Sequence, residues 1–270
     1  MGRIESAIKK RGSQREGLGS GTVPRESSST DLRPVELRPS PLEQIPRTRV
    51  PSDYLAEQRI LFTDTDPPIR SAYRFLRTRV IHRMRQNGWH SLAVTSCRPG
   101  DGKTLTAINL AISLAEGLSE RIILVDFDLR HPSIHRYLGI TPKRSVNDYM
   151  RGTGSAKEVL LRPLSDRLFI APTVDPFSDS SEVLASSRTL SFVQELRELD
   201  PDALIIYDMP PFLSADDMLA FSPNVDAVLL VVSQGQTPRV ELEDAREFLG
   251  DTPVLGVVLN RSDEHNRAYY

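Results

Sequence analysis

The sequence predicts an α/β fold in which a mostly parallel sheet carries helices on both faces. Six short, continuous apolar runs alternate with amphipathic stretches in the chain after residue 90. Such runs are typical of strands buried on both faces, and their alternation with helices favours parallel strands joined by crossover connections. A glycine-rich loop also joins the first of these strands to a helix, at the end of the sheet where such folds bind ligands.

The elements follow in chain order from their spacing. After two prolines, apolar residues recur every three or four positions from Ile69 to Met84 and predict a helix. Its opposite face is basic and forms either a solvated face or a contact surface for a partner or neighbouring subunit: Arg70, Arg74, Arg77, Arg79, Arg83 and Arg85. The strands are predicted at 91–96, 121–127, 167–172, 203–208, 227–233 and 253–259. The helices between them are predicted at 103–117, 187–199, 214–222 and 240–249.

Composition limits the class of protein and its organisation. A net charge of −2 over 270 residues argues against a dedicated nucleic-acid binder. The single cysteine excludes an internal disulfide and fits a reducing compartment, and no apolar run is long enough to span a membrane. Residues 1–52 predict a disordered Ser/Pro/Arg-rich arm with a short helix at its start. Residues 53–262 are predicted to form the α/β domain, and residues 263–270 a flexible tail.

The glycine-rich loop has the pattern of a phosphate-binding loop, or P-loop. Gly100 and Gly102 allow backbone N–H groups to approach phosphates, and the N-terminus of the following helix adds positive potential. Lys103 is expected to reach the β- and γ-phosphates, and the Thr104 hydroxyl to ligate Mg²⁺. Cys97 stands where this pattern usually has its first glycine. The predicted nucleotide-binding stretch is Pro99, Gly100, Asp101, Gly102, Lys103, Thr104 and Leu105.

Two predicted strands deliver acidic side chains to the same end of the sheet. Asp126 and Asp128 are expected to point to one side of the chain, with Arg130 just beyond them. One of the two aspartates can hold the hydration shell of Mg²⁺ and the other can accept a proton from an incoming hydroxyl. Asp208 ends a later strand, where P-loop enzymes hold Mg²⁺ through water. The pattern therefore favours phosphoryl transfer to a protein side chain.

The C-terminal residues add two further predictions. Asn260 and Arg261 end the last strand, where we expect them to meet the nucleotide base. Tyr269 and Tyr270 are the final two residues of the chain. Tyrosines at a terminus are commonly inert, but a flexible end can also deliver a phosphate acceptor to an active site.

The segments CRPGDGKT, LVDFDLRHPSIHRYLG and LIIYDMPP, in this order and spacing, resemble the Walker A, A′ and B motifs of the bacterial tyrosine kinases. These P-loop autokinases control capsule and exopolysaccharide synthesis, so the resemblance implies ATP and Mg²⁺ as cofactors. It also implies Lys103, Asp126, Asp128 and Arg130 as catalytic residues, with Asp126 activating the acceptor, and Tyr269 and Tyr270 as acceptors. The opening MGRIESAIKK is similar to autokinases of exosortase-linked systems.

The resemblance implies partners as well. These are other copies of the chain for phosphorylation in trans, an opposing tyrosine phosphatase and a membrane-anchored polysaccharide chain-length regulator (co-polymerase). The last of these would hold the protein at the inner face of the membrane. The sequence departs from the family at Ser71, where the family's assembly motif has glutamate, at Met209, where it has a hydroxyl residue, and in its short tyrosine tail.

Two other functions share this fold. One is a nucleotide-gated assembly ATPase of the export machinery without kinase activity, which the changed assembly motif and the short tail favour. The other is a partitioning or septum-placement ATPase. That class has lysine two residues before the first loop glycine, where this chain has Arg98, so the residue at this position argues against it.

Overall fold

The computed structural model of the protein describes residues 40–61, 67–213 and 216–262. Most of the predicted arm, including its short helix, lies outside the described residues. So does the tail with Tyr269 and Tyr270.

A six-stranded parallel sheet forms the centre of the described structure. Its strands, in the spatial order β3-β2-β4-β1-β5-β6 and with every neighbouring pair parallel, confirm the predicted fold class. They are β1 Ser91–Ser96, β2 Ile122–Asp126, β3 Leu168–Ala171, β4 Leu204–Asp208, β5 Ala227–Ser233 and β6 Val254–Asn260. Asp126 and Asp208 are register partners on adjacent strands, which brings their carboxylates to one edge.

Ten α-helices connect and cover the strands within the described residues. They are α1 Ser52–Glu57, α2 Pro67–Asn87, α3 Lys103–Gly117, α4 Ile134–Tyr137, α5 Val146–Met150, α6 Ala156–Val159, α7 Ser180–Ala185, α8 Ser187–Leu199, α9 Asp217–Phe221 and α10 Arg239–Leu249. The predicted helices correspond to α2, α3, α8, α9 and α10. Helices α1 and α4–α7 were not predicted, because helices of four to six residues are too short to show a helical period.

Each face of the sheet has its own hydrophobic core. On one face, α3 packs between the strands and α2, and is buried on nearly all sides. On the other face, an aromatic cluster surrounds Phe127, whose ring centroid lies 5.4 Å from that of Tyr207 and 5.1 Å from that of Phe221. Because Phe127 is fully buried, it fixes the chain between Asp126 and Asp128.

The described structure includes residues before the predicted domain boundary at residue 53. Ordered structure extends back to Ser40, whose hydroxyl accepts a hydrogen bond from the Leu42 N–H and starts a 3₁₀ turn. Leu42 and Ile45 are buried in the core, and Glu43 pairs with Arg121. Two apolar residues in a polar segment gave too weak a sequence signal for a prediction. Their burial nevertheless offsets the conformational entropy that is lost when the turn is ordered.

The arginines of α2 are partly structural. Four of the six bind groups within the chain: Arg77 donates to the Ser113 carbonyl at 2.8 Å, Arg83 donates to the Leu255 carbonyl, and Arg70 and Arg85 pair with glutamates. Arg79 lies over the exposed ring of Phe75.

None of the described helices is both long and apolar enough to cross a membrane.

Candidate functional site

The loop between β1 and α3 has the backbone that phosphate binding requires. Gly100 and Gly102 adopt left-handed conformations, with φ of 85° and 90°. A Cβ atom on Gly102 would collide with the side-chain amide of Asn260. Position 102 therefore requires glycine both for its conformation and for the close approach of β6.

Replacing Gly102 with alanine is expected to weaken nucleotide binding at least about tenfold, because the strained loop can no longer direct its N–H groups at phosphates. Gly88→Ala is the matched control, since Gly88 has φ of 66° and open space around its Cα. Both variants should lose at least about 1 kcal/mol of stability in thermal melts, with the larger loss in Gly102→Ala because of the contact with Asn260. Only Gly102→Ala should bind a fluorescent ATP analogue more weakly, and equal binding by the two variants would contradict this role.

The loop is held from its sides by an ion pair that the sequence did not reveal. The Arg98 guanidinium donates from Nε to both carboxylate oxygens of Glu241 on α10, at 2.9 Å. Asp101 accepts from the Arg98 N–H at 3.0 Å and closes the turn. Cys97 lies buried beneath, and burial, reinforced by Asp101, raises the pKa of its thiol to about 12, so that it stays uncharged at neutral pH.

Lys103 is the centre of a buried charge cluster. Its Nζ atom lies 2.6 Å from Asp128 Oδ2, 3.6 Å from Asp208 Oδ1 and 3.0 Å from the Thr104 hydroxyl oxygen. One ammonium group therefore faces two carboxylates in a largely buried site. Burial, followed by repulsion from Asp128, raises the pKa of Asp208 to about 6. The structure thus brings together four of the residues predicted for the site.

Asp126 and Asp128 occupy different environments. β2 ends at Asp126, whose Oδ2 accepts from the N–H groups of Ser133 and Ile134, both at 3.0 Å. Its Oδ1 is buried without a hydrogen-bond partner among the described residues. Burial and the neighbouring Asp208 raise the Asp126 pKa well above its ordinary value. Asp128 is instead committed on both sides, to Lys103 and to the His131 N–H at 3.1 Å.

The residues fit Mg²⁺ as P-loop proteins bind it. Among the described residues, no three carboxylate, imidazole or thiol side chains converge as a ligand set. Mg²⁺ needs no such set, since it keeps several waters and takes one or two protein oxygens together with phosphate oxygens. Both carboxylate oxygens of Asp208 are buried without a hydrogen-bond partner in the described part of the chain, and Thr104 begins α3 beside Lys103. Thr104, Asp128 and Asp208 are therefore suitable residues to hold the ion.

Three further predicted site residues, Arg130, Asn260 and Arg261, form ion pairs or hydrogen bonds with other parts of the chain. The Arg130 guanidinium pairs with Asp217 on α9 at 3.1 Å, and Asp217 also accepts from the Ser180 hydroxyl. Asn260 Nδ2 donates to the Asp101 carbonyl at 2.8 Å, and Arg261 Nη2 to the Gly100 carbonyl at 2.7 Å. The end of β6 is therefore attached to the P-loop backbone, and the roles of these residues toward phosphate and base remain predictions.

Comparisons with known proteins agree with this geometry. The ParA family model, described as NUBPL iron-transfer P-loop NTPase, matches residues 88–266. A relative from Ralstonia solanacearum, named "Putative tyrosine-protein kinase EpsB", is 30% identical over 225 residues, which are 82% of this chain and 29% of EpsB. The chain thus spans under a third of that relative's length.

Two further matches are of similar size to this chain. The tyrosine-protein kinase YwqD of Bacillus subtilis is 26% identical over 212 residues, 75% of this chain and 86% of YwqD. The crystal structure of the VpsO kinase domain is 29% identical, with a TM-score of 0.64 over 72% of this chain and 96% of that domain. The predicted resemblance is confirmed: the chain belongs to the ParA family of P-loop NTPases and is similar, within it, to bacterial tyrosine kinases.

Proposed function

We propose that this protein is an ATP-dependent protein tyrosine autokinase. The observation that carries the proposal is the buried cluster in which Lys103 and Thr104 of the P-loop meet Asp128 of the second acidic motif and Asp208 of the third. A nucleotide-binding loop alone would need no second acidic strand end. The similarity to EpsB, YwqD and the VpsO kinase domain supports the same activity.

Different side chains of the site bind phosphate, hold Mg²⁺ and accept the proton in this proposal. Lys103 and the loop N–H groups bind the phosphoryl oxygens, on which charge must be stabilised during transfer. Thr104, Asp128 and Asp208 hold Mg²⁺, which neutralises phosphate charge when it is bound. As the bond from the γ-phosphorus to the ADP oxygen breaks, the phenol oxygen of the acceptor bonds to that phosphorus. The phenol proton passes to Asp126 Oδ1, the carboxylate oxygen left without a partner in the described structure.

The acceptors in this proposal are Tyr269 and Tyr270 of a neighbouring copy. By its family resemblance, the protein acts in exopolysaccharide or capsule synthesis and export, and an opposing phosphatase reverses its phosphorylation. It works with a membrane-anchored chain-length regulator, which places it at the inner face of the membrane.

Mass spectrometry of the full chain, incubated with ATP and Mg²⁺, tests the proposal. Phosphotyrosine is expected at Tyr269 and Tyr270, and the double variant Tyr269→Phe/Tyr270→Phe should lose most of it. Tyr137→Phe is the matched control, since Tyr137 lies on α4 within the folded domain, and it should keep the full signal. Repeating the incubation with a co-expressed chain-length regulator tests activation by the partner. Steady ATP turnover without any phosphotyrosine in either incubation would contradict the kinase.

That contradictory outcome would favour the second candidate, a nucleotide-gated assembly ATPase. One structural observation supports it. Arg77, which matches the family's assembly motif, donates to the Ser113 carbonyl of its own chain, and Ser71 replaces the glutamate of that motif.

A further inference from the structure

A small cavity lies beside the phosphotransfer site, and among the residues that line it only Arg130 has a predicted role. It has a volume of about 170 Å³ and opens between the segment after Asp128 and the segment after β3. This volume is below the several hundred Å³ of pockets for drug-sized ligands, so it suits one side chain rather than a nucleotide.

The lining of the cavity combines positive charge with apolar surface. Its polar part consists of four basic side chains: Arg130, His131, His135 and Arg136. Its apolar part consists of Pro132, Val174 and Pro176, and no acidic residue lines it. Such a lining can bind both halves of a phosphorylated aromatic side chain, since guanidinium groups recognise phosphate and apolar surfaces accept the ring.

The charges of the two arginines are available to different degrees. Arg130 is already paired with Asp217 and Asp216 of the chain. Arg136 donates one bond to the Pro132 carbonyl at 3.0 Å, and no ion pair with an acidic group is found for it among the described residues. Arg136 is therefore the cation best placed to meet an incoming phosphate.

Both walls of the cavity are hydrogen-bonded to Asp126. The first wall is attached through the Ser133 and Ile134 N–H groups, which donate to the Asp126 carboxylate. The second is attached through the Thr173 hydroxyl, which donates to the Asp126 carbonyl at 2.6 Å. Both walls thus contact the residue whose carboxylate we propose accepts the tyrosine proton.

We propose that this cavity binds phosphotyrosine, so that a phosphorylated tail remains bound beside the site that produces it. The inference rests on the proposed function, because it takes the tail tyrosines as the product. It adds a site for the product, formed by Arg136 and the surrounding basic residues, next to the site of transfer.

Peptide binding tests the inference independently of catalysis. A synthetic peptide of residues 263–270 with phosphotyrosine at position 269 is titrated into the full chain by fluorescence anisotropy. ADP and Mg²⁺ are present at saturation so that the P-loop is occupied. The phosphopeptide is expected to bind at least about tenfold more tightly than the unphosphorylated peptide, and Arg136→Gln should remove about that factor.

Arg239→Gln is the control, since Arg239 is an exposed arginine of α10 paired with Glu243. It should bind the phosphopeptide like the unchanged protein, and both variants should keep the same affinity for ADP. Equal binding of phosphorylated and unphosphorylated peptides, or unchanged binding by Arg136→Gln, would overturn the inference. A phosphoserine peptide that binds equally well, or complete displacement by equimolar inorganic phosphate, would overturn the assignment to phosphotyrosine.

The outcome is separable from that of the proposed function. A protein that forms phosphotyrosine on its tail but does not bind the phosphopeptide contradicts only the cavity. A protein that binds the phosphopeptide but never forms phosphotyrosine contradicts only the kinase.

Discussion

Lys103→Met is expected to abolish phosphoryl transfer, with a loss of at least about a hundredfold to a thousandfold in turnover. The ammonium group is the one cation that lies within ion-pair distance of both Asp128 and Asp208 in the described structure. Removing a preorganised positive group from a buried phosphoryl-transfer site commonly costs two to three orders of magnitude. ATP turnover and tail phosphotyrosine should disappear together if one site performs both.

The same substitution should also lower stability. Without the ammonium group, Asp128 and Asp208 lose their common buried counter-charge, and breaking a buried ion pair typically costs about 3–5 kcal/mol. Urea denaturation measures this loss, and Lys143→Met, at an exposed lysine, is the control that should change neither stability nor turnover. Normal phosphotyrosine in Lys103→Met would rule out the proposed site.

Asp208→Asn is expected to raise the stability of the folded protein while it abolishes phosphoryl transfer, whereas Lys103→Met lowers both. The pKa of Asp208 is raised to about 6 by burial, against about 3.9 in an unfolded chain. Between these values the folded protein binds more protons than the unfolded chain, so its stability falls as pH rises through 6. At pH 8 the buried carboxylate therefore costs on the order of 3 kcal/mol, and a neutral amide removes that cost.

Urea denaturation without nucleotide or Mg²⁺ should therefore show Asp208→Asn to be more stable than the unchanged protein at pH 8. The difference should shrink toward pH 4, while phosphoryl transfer is lost at every pH. Asp226→Asn is the control. Asp226 Oδ2 accepts three hydrogen bonds from His90 and Ser91, at the edge of the sheet opposite the site. Asp226→Asn should be destabilised. An equal loss of stability in Asp208→Asn would contradict the inference that the charged Asp208 carboxylate destabilises the folded protein.

The sheet and the centre of the site could be predicted because both depend on local pattern. Continuous apolar runs identified every strand, and the ends of parallel strands necessarily meet at one edge. The sequence alone therefore predicts Lys103, Asp128 and Asp208 at one place, and the structure has them within hydrogen-bond or ion-pair distance.

The parts that could not be predicted depend on residues far apart in the chain. Arg98 needs a counter-ion, but nothing in the spacing identifies Glu241, which lies 143 positions later. The partner of Arg130, Asp217, was equally hidden. The two oxygens of Asp126 also differ in a way that spacing does not reveal: one accepts from N–H groups at the start of α4, and the other has no hydrogen-bond partner among the described residues.

The attachment of β6 to the P-loop fixes the starting point of the C-terminal tail. Arg261 donates to the Gly100 carbonyl, so the tail leaves the domain at the rim of its own nucleotide site. The eight residues after Ser262 span at most about 28 Å when fully extended. Tyr270 can therefore lie no farther than this from Ser262. For the proposed phosphorylation in trans, the nucleotide site of one copy must therefore lie within that distance of Ser262 of the other, which limits how the copies can be spaced.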